Sequence, residues 1–131
     1  DALVDFIHYP AKAARPYVVA ANPELVNRIA GDDMMRGCTI AANGFYGPQG
    51  RVLRCDLAVK DINERITDFR YEGQRITNYE MEGSAIAGLS LLMGHKAMTV
   101  CCVIAQRKVE AANTDYKPRI KQLVQTVLER I

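Results

Sequence analysis

The segment Asn78–Gly83 places two carboxylates, Glu80 and Glu82, on either side of the thioether of Met81. The residues that follow, 84–93, are small and apolar, as in a helix that packs inside a protein. A polar cluster at the head of an apolar helix is one place where a protein binds a small molecule. On spacing alone, a solvated turn that leads into a core helix is the commoner structure.

A loop of unusual composition, residues 43–51, follows the apolar run 38–42. It holds two aromatic rings, three glycines, a proline, two amides and a guanidinium within nine residues. Open α/β sheets bind their ligands at the carboxyl ends of strands, so this loop is a candidate ligand loop. Ordinary Gly/Pro turns have a similar composition, and that alternative stays open. A further guanidinium, Arg107, follows the apolar run 97–105.

These polar segments need a scaffold, and the apolar pattern predicts alternating strands and helices. The predicted strands are 17–21, 38–42, 76–79 and 97–105, and the predicted helices are 22–31, the middle of 56–73, 81–93 and 118–131. The continuous apolar run 97–105 is typical of a central strand covered on both faces. Helix 81–93 is expected to be buried on most sides. This order of elements indicates an α/β fold in layers.

Composition narrows the functional class. With 131 residues, of which 49% are apolar, the chain is expected to form one globular domain, 1–131. A net charge of +2 with dispersed basic residues does not favour nucleic acid, and no apolar run reaches the roughly 18 residues of a membrane helix. The four cysteines form no C-x-x-C pair, so no metal site is expected. They are interpreted as reduced, mostly buried residues of a cytoplasmic protein. The two histidines, His8 and His95, lack an evident metal partner.

Three segments, 45–51, 78–82 and 103–107, together resemble the C-terminal half of the uridine phosphorylases, the pyrimidine branch of the nucleoside phosphorylase family. The similarity extends over roughly residues 17–131. The Glu-Met-Glu motif is shared across the family, whereas the Phe-x-x-x-Gln-x-Arg loop is specific to the pyrimidine branch. The resemblance implies a partial α/β sandwich with a mixed central sheet flanked by helices.

The activity implied by the resemblance is reversible phosphorolysis, in which uridine and phosphate give uracil and ribose 1-phosphate. Phosphate is then a co-substrate, and no cofactor is expected. Cleavage of the glycosidic bond passes through an oxocarbenium-like transition state while negative charge grows on the departing base. Arg51, helped by Arg107, is implied to stabilise that charge. Purine relatives carry an Asp near the end of the strand after the Glu-Met-Glu helix, and 104–107 contains no carboxylate, which favours a pyrimidine.

The same resemblance implies which residues contact the base. An amide such as Gln49 accepts a hydrogen bond from the N–H of uracil and donates one to a neighbouring carbonyl. Arg51 donates to the remaining carbonyl through its planar fork. Phe45 packs against the base, and Ile104 and Ala105 line its pocket.

The sugar contacts are implied for the Glu-Met-Glu motif. Glu82 accepts hydrogen bonds from the ribose hydroxyls, Met81 packs against the sugar, and Glu80 is placed in the site, where it orients its neighbours. The family's phosphate site uses a glycine-rich loop and arginines of the N-terminal half, together with groups of a neighbouring subunit. None of these occurs in the sequence, so the chain is expected to be a C-terminal half and part of a homo-oligomer.

Two features depart from the family pattern. The order Gly47-Pro48 is reversed, and Gln106 stands where Asn is usual; neither change removes an expected contact. The Asp1 start favours a fragment over a complete protein. Two other functions stay open on the sequence. One is a domain that binds nucleosides or another subunit without catalysis, and the other is a purine nucleoside phosphorylase or nucleosidase relative.

Overall fold

The computed structural model describes residues 1–106, 111–112 and 114–131. The helices are α1 (Ala2–Phe6), α2 (Pro23–Ile29), α3 (Ile62–Asp68), α4 (Gly83–Leu92) and α5 (Lys117–Arg130). The strands are β1 (Cys38–Ala41), β2 (Arg70–Tyr71), β3 (Gln74–Glu80), β4 (Ala105–Gln106) and β5 (Ala111–Ala112). They belong to two compact units, the first comprising residues 1–19 and 37–84 and the second residues 20–36 and 85–131. The expectation of a single domain stays a prediction.

The first unit is built on a three-stranded mixed sheet with the order β1-β3-β2. Strand β1 runs parallel to β3, and β2 runs antiparallel to it. Glu72 and Gly73 connect β2 to β3 with φ angles of 48° and 76°, the positive values that a tight type I′ hairpin turn requires. The amide of Asn78 on β3 donates to the hydroxyl of Thr39 on β1 at 2.8 Å. The predicted mixed α/β architecture is confirmed.

Helix α3 contributes to the core of the first unit. It contacts β3 and buries Ile66, and Phe69, the residue directly after it, is buried as well. The ring of Phe6, at the end of α1, meets Phe69 edge-on with 5.5 Å between the ring centroids. Ile7, directly after α1, is buried as well. The sequence pattern predicted α3 correctly, but it contained no clear signal for the short helix α1.

Helices α2 and α5 define the second unit, and both were predicted. The side chain of Asn22 caps α2 by accepting a hydrogen bond from the backbone N–H of Leu25 at 3.2 Å, and Pro23 occupies the first helical position. The guanidinium of Arg130, at the end of α5, donates to both carboxylate oxygens of Asp33 at 3.0 Å. It also donates to the carbonyl of Ile29, the last residue of α2, at 2.8 Å. These bonds fasten the end of α5 to the end of α2.

The Asp33–Arg130 pair makes the stability of the protein sensitive to acid. Hydrogen bonds from Arg130 hold the pKa of the Asp33 carboxyl below its ordinary value of 3.8. Because the pKa is lowered on folding, the pair stabilises the fold fully above pH 3.8 and loses this contribution as the pH falls below it. We expect Asp33→Asn to lower the Tm at pH 7 by a small amount, on the order of 2 °C, since the pair is partly exposed.

Thermal unfolding of the wild type and Asp33→Asn between pH 7 and pH 3 measures this effect. The Tm difference should shrink at the acidic end. Asp32→Asn is the matched control because it removes a neighbouring carboxylate and leaves the pair with Arg130 intact. A difference between wild type and Asp33→Asn that grows as the pH falls would contradict the assignment.

Two strand predictions are wrong. Residues 17–21 form no strand, and Val18 is 94% exposed. Of the predicted strand 97–105, only Ala105 and the following Gln106 pair, with β5. Apolar composition indicates that a segment can be extended, but a strand also needs a neighbour that takes its N–H and C=O groups. The N–H of Asn22 donates to the carbonyl of Ala97 at 2.8 Å, but the structure assigns no strand to 17–21 or to 97–104.

The burial expected for helix 81–93 and for the cysteines is also wrong. Helix α4 forms within the predicted range, yet its large apolar side chains, such as Leu92 at 84%, are exposed. Cys38, Cys55 and Cys101 are exposed and Cys102 is intermediate; all four are free thiols. Helix formation follows from local composition, whereas burial depends on whatever packs over the helix. Within the described part of the chain, no helix is both long and apolar enough to cross a membrane.

Candidate functional site

Two of the predicted site segments leave the same edge of the sheet in the first unit. Parallel pairing places Ala41, the last residue of β1, opposite Glu80, the last residue of β3. One further hydrogen bond, from the N–H of Ala42 to the carbonyl of Glu80 at 2.8 Å, continues the pairing. The loop 43–51 and the segment 80–82 therefore begin side by side, at the carboxyl ends of neighbouring parallel strands.

The loop 43–51 is held compact by its own backbone. A short 3₁₀ turn, Gly47–Gln49, places Gln49 and Arg51 so that the N–H groups of both donate to the carbonyl of Tyr46 at 3.0 Å. Gly50 ends the turn with a φ of 71°, in the left-handed region that favours glycine. The rings of Phe45 and Tyr46 meet edge-on with 5.2 Å between their centroids. This backbone is a defined turn that orients the side chains on either side of Gly50.

Arg51 folds back over the loop. Its guanidinium carbon lies 3.6 Å from the centroid of the Phe45 ring, a cation–π stacking distance. Its Nη1 donates to the carbonyl of Phe45 and, at 3.1 Å, to Oε1 of Gln49. Gln49 is only 4% exposed, whereas Phe45 is 50% exposed. The result is an amide and a guanidinium side by side next to an aromatic ring, which suits the hydrogen-bonding edge of a flat, polar ligand.

A chain of side-chain hydrogen bonds connects this loop to β3. The hydroxyl of Tyr79 donates to Oδ1 of Asn63 at 3.1 Å, and Nδ2 of Asn63 donates to the carbonyl of Gly50 at 3.3 Å. A Cβ at position 50 would lie 2.3 Å from this Nδ2, so a larger residue there would require the Asn63 side chain to shift. Sequence reasoning missed Asn63, because nothing in the sequence marks a polar residue on α3 as the partner of a loop 13 residues earlier.

Glu80 and Glu82 differ in their surroundings, although the sequence treats them alike. The Oε2 atom of Glu80 accepts hydrogen bonds from the backbone N–H of Glu82 at 2.9 Å and from that of Gly83, the first residue of α4. A carboxylate in this position satisfies donors at the helix N-terminus and opposes its partial positive charge. The side chain of Glu82 is exposed, as is that of Met81. Glu80 thus shapes the turn, and Glu82 and Met81 face outward from it.

The first unit does not contain the remaining predicted site residues. Ile104 and Ala105 belong to the second unit, with Ile104 exposed and Ala105 in β4. Arg107 lies outside the described residues. In the part of the chain that the structure describes, no group of three or more His, Cys, Asp or Glu side chains could hold a metal ion. The first unit therefore brings together Phe45, Gln49, Arg51 and the segment 80–82.

The chain is similar in sequence to known phosphorylases. The sequence model of the Phosphorylase superfamily matches residues 3–130. Uridine phosphorylase A of Schistosoma mansoni is 41% identical over 73 residues, which cover 54% of this chain and 24% of that protein. The matched segment thus spans about a quarter of the length of this curated relative. No solved structure gives a significant match.

Proposed function

We propose that the full-length protein catalyses the phosphorolysis of a pyrimidine nucleoside. The proposal starts from the family: this chain belongs to the phosphorylase superfamily. In the reaction, uridine and phosphate give uracil and ribose 1-phosphate. The observation that carries the proposal is the parallel register of β1 and β3, which brings the loop 43–51 and the segment 80–82 to one sheet edge. A nucleoside has a flat polar base joined to a sugar, and these two segments offer a matching group for each part.

The base half of the proposal rests on Gln49 and Arg51. Uracil presents an N–H between two carbonyl groups, so its recognition needs one acceptor flanked by donors. The amide of Gln49 supplies an acceptor and a donor, and the guanidinium of Arg51 supplies further donors in a fixed plane. Their mutual hydrogen bond and the stacking of Arg51 on Phe45 orient both groups before the base arrives.

The sugar half rests on the turn at 80–83. Because Glu80 is engaged by two backbone N–H groups, we assign it the role of orienting the turn. Glu82 is exposed beside it and is assigned the ribose hydroxyls, since an ionised carboxylate accepts two hydrogen bonds at once. Met81 is assigned the apolar face of the sugar. Ile104, Ala105 and Arg107 keep their assignments to the base pocket as predictions.

The chemical step is displacement at the anomeric carbon. Phosphate forms a bond to C1′ as the bond from C1′ to N1 of uracil breaks, the bonding electrons leave with the base, and the proton given up by the phosphate ends on N1 of uracil. Positive charge develops on the sugar ring and negative charge on uracil. Donors from Arg51, already aimed along the base edge, lower the energy of the departing anion. The groups that bind phosphate are proposed to come from residues beyond these 131 and from a second subunit of a homo-oligomer.

Steady-state kinetics of the full-length protein test the proposal. With phosphate in excess, we expect uridine to be converted to uracil and ribose 1-phosphate, with a kcat/KM for uridine that exceeds that for inosine by at least about tenfold. A parallel reaction without phosphate is the control, because a hydrolase would release free ribose in both. Preference for inosine would overturn the pyrimidine assignment. Binding of uridine without turnover would favour a non-catalytic nucleoside-binding domain.

A further inference from the structure

Hydrogen bonds join Tyr79 to Asn63 and Asn63 to Gly50, and we call this series the Asn63 bridge. The bridge connects the two halves of the proposed site. Tyr79 directly precedes Glu80 on β3, and Gly50 lies between Gln49 and Arg51. The side-chain amide of Asn63 accepts from the Tyr79 hydroxyl at 3.1 Å and donates to the Gly50 carbonyl at 3.3 Å. One amide therefore connects the strand that delivers the sugar-side carboxylates to the loop that presents the base-side donors.

The geometry at Gly50 makes this connection restrictive. With a φ of 71° and no Cβ, Gly50 lets Asn63 approach to a distance that any side chain at position 50 would block. Asn63 itself is held on α3, where its backbone carbonyl also accepts from the hydroxyl of Thr67 at 2.6 Å. The loop is thus bonded to helix α3 and, through Asn63, to strand β3, in addition to the hydrogen bonds within its own turn.

We infer that Asn63, together with Tyr79, is a positioning residue that sets the distance and angle between the base-contacting pair Gln49/Arg51 and the Glu80–Glu82 turn. This inference rests on the proposed function, because it concerns the alignment of two parts of one nucleoside site. A misplacement of about 1 Å between groups that act on the same substrate can cost roughly 100-fold in rate. Asn63 touches no substrate in this assignment and acts through Gly50.

Two variants of the full-length protein separate the two links of the bridge. Asn63→Asp keeps the shape and the acceptor for Tyr79 but removes the donor to Gly50, and Tyr79→Phe removes the donor to Asn63. We expect Asn63→Asp to lower kcat/KM for uridine at least tenfold and Tyr79→Phe to lower it about threefold. Glu64→Gln, on the exposed side of the same helix, is the control and should leave kcat/KM unchanged.

Product inhibition distinguishes positioning from a general loss of folded protein. In Asn63→Asp, the inhibition constant of uracil should rise about tenfold, while that of ribose 1-phosphate changes less than twofold, because the bridge ends on the base-side loop. A lower folded fraction would reduce kcat and leave both constants unchanged, and that result would overturn the inference. Equal increases in both constants would overturn it as well.

Amide hydrogen exchange tests the bridge without catalysis. The N–H groups of Gln49, Gly50 and Arg51 bond within the turn, and we expect all three to exchange at least tenfold faster in Asn63→Asp than in the wild type. If the wild type cleaves uridine and the inhibition constant of uracil is the same for Asn63→Asp as for the wild type, the inference fails and the proposed function stands. If the wild type does not cleave uridine, the proposed function fails, and unchanged exchange rates would remove the bridge too.

Discussion

Replacing Arg51 with alanine is expected to lower kcat/KM for uridine phosphorolysis by about 100-fold to 1,000-fold in the full-length protein, the usual loss when a donor to developing charge is removed. Arg51 is stacked on Phe45 and bonded to the amide of Gln49, so its donors are oriented before the base binds. Most of the loss should appear in kcat, because the charge on uracil develops only as the glycosidic bond breaks. Arg51→Lys keeps the charge but not the planar fork, and it should recover only part of the rate.

Gln49→Ala belongs to the same experiment and is expected to cost at least tenfold in kcat/KM for uridine. Its loss should be divided between KM and kcat, because the amide contacts the base both before and during bond breaking. Arg54→Ala is the matched control, since Arg54 is an exposed arginine three residues after Arg51 and has no assigned contact. If Arg51→Ala and Gln49→Ala retain wild-type kinetics with uridine, the loop does not bind the base.

Replacing Glu82 with alanine is expected to lower kcat/KM for uridine by about 10-fold to 100-fold, since hydrogen bonds to a charged group contribute about 1.5–3 kcal/mol. The effect should be smaller with 2′-deoxyuridine, which lacks one of the hydroxyl groups that Glu82 is proposed to bind. The two substrates and two proteins form a thermodynamic cycle that isolates the contact with the 2′ hydroxyl. Glu64→Ala removes a carboxylate remote from this contact and serves as the control.

The outcome at Glu80 separates orientation from sugar binding. Glu80→Gln keeps an oxygen that can accept hydrogen bonds from the N–H groups of Glu82 and Gly83. Glu80→Ala removes this acceptor from both N–H groups. We therefore expect Glu80→Ala to be the more damaging of the two with uridine and with 2′-deoxyuridine alike. Equal losses for the two nucleosides with Glu82→Ala, combined with a selective loss for uridine with Glu80→Ala, would reverse the assigned roles.

The helices were largely predictable because their signals are local. Asn22 and Pro23 mark the beginning of α2, and the apolar spacing of 118–131 marks α5. In both cases the residues that carry the signal lie in the helix or directly beside it. The strand prediction 38–42 succeeded because β1 has β3 as a neighbour. The similar apolar run 97–105 failed over most of its length because pairing depends on a second segment, which composition alone does not reveal.

For this protein, the sequence by itself determined which chemical groups are present and the order in which they occur: an amide and a guanidinium in one loop, and two carboxylates before an apolar helix. The tertiary structure decided that these segments share a sheet edge, that Glu80 turns inward to backbone donors, and that Asn63 joins the loop to β3. The physical reason is the separation, along the chain, of the residues that interact. Caps, turns and periodicity depend on adjacent residues, whereas strand register and side-chain bridges join residues 13 to 39 positions apart.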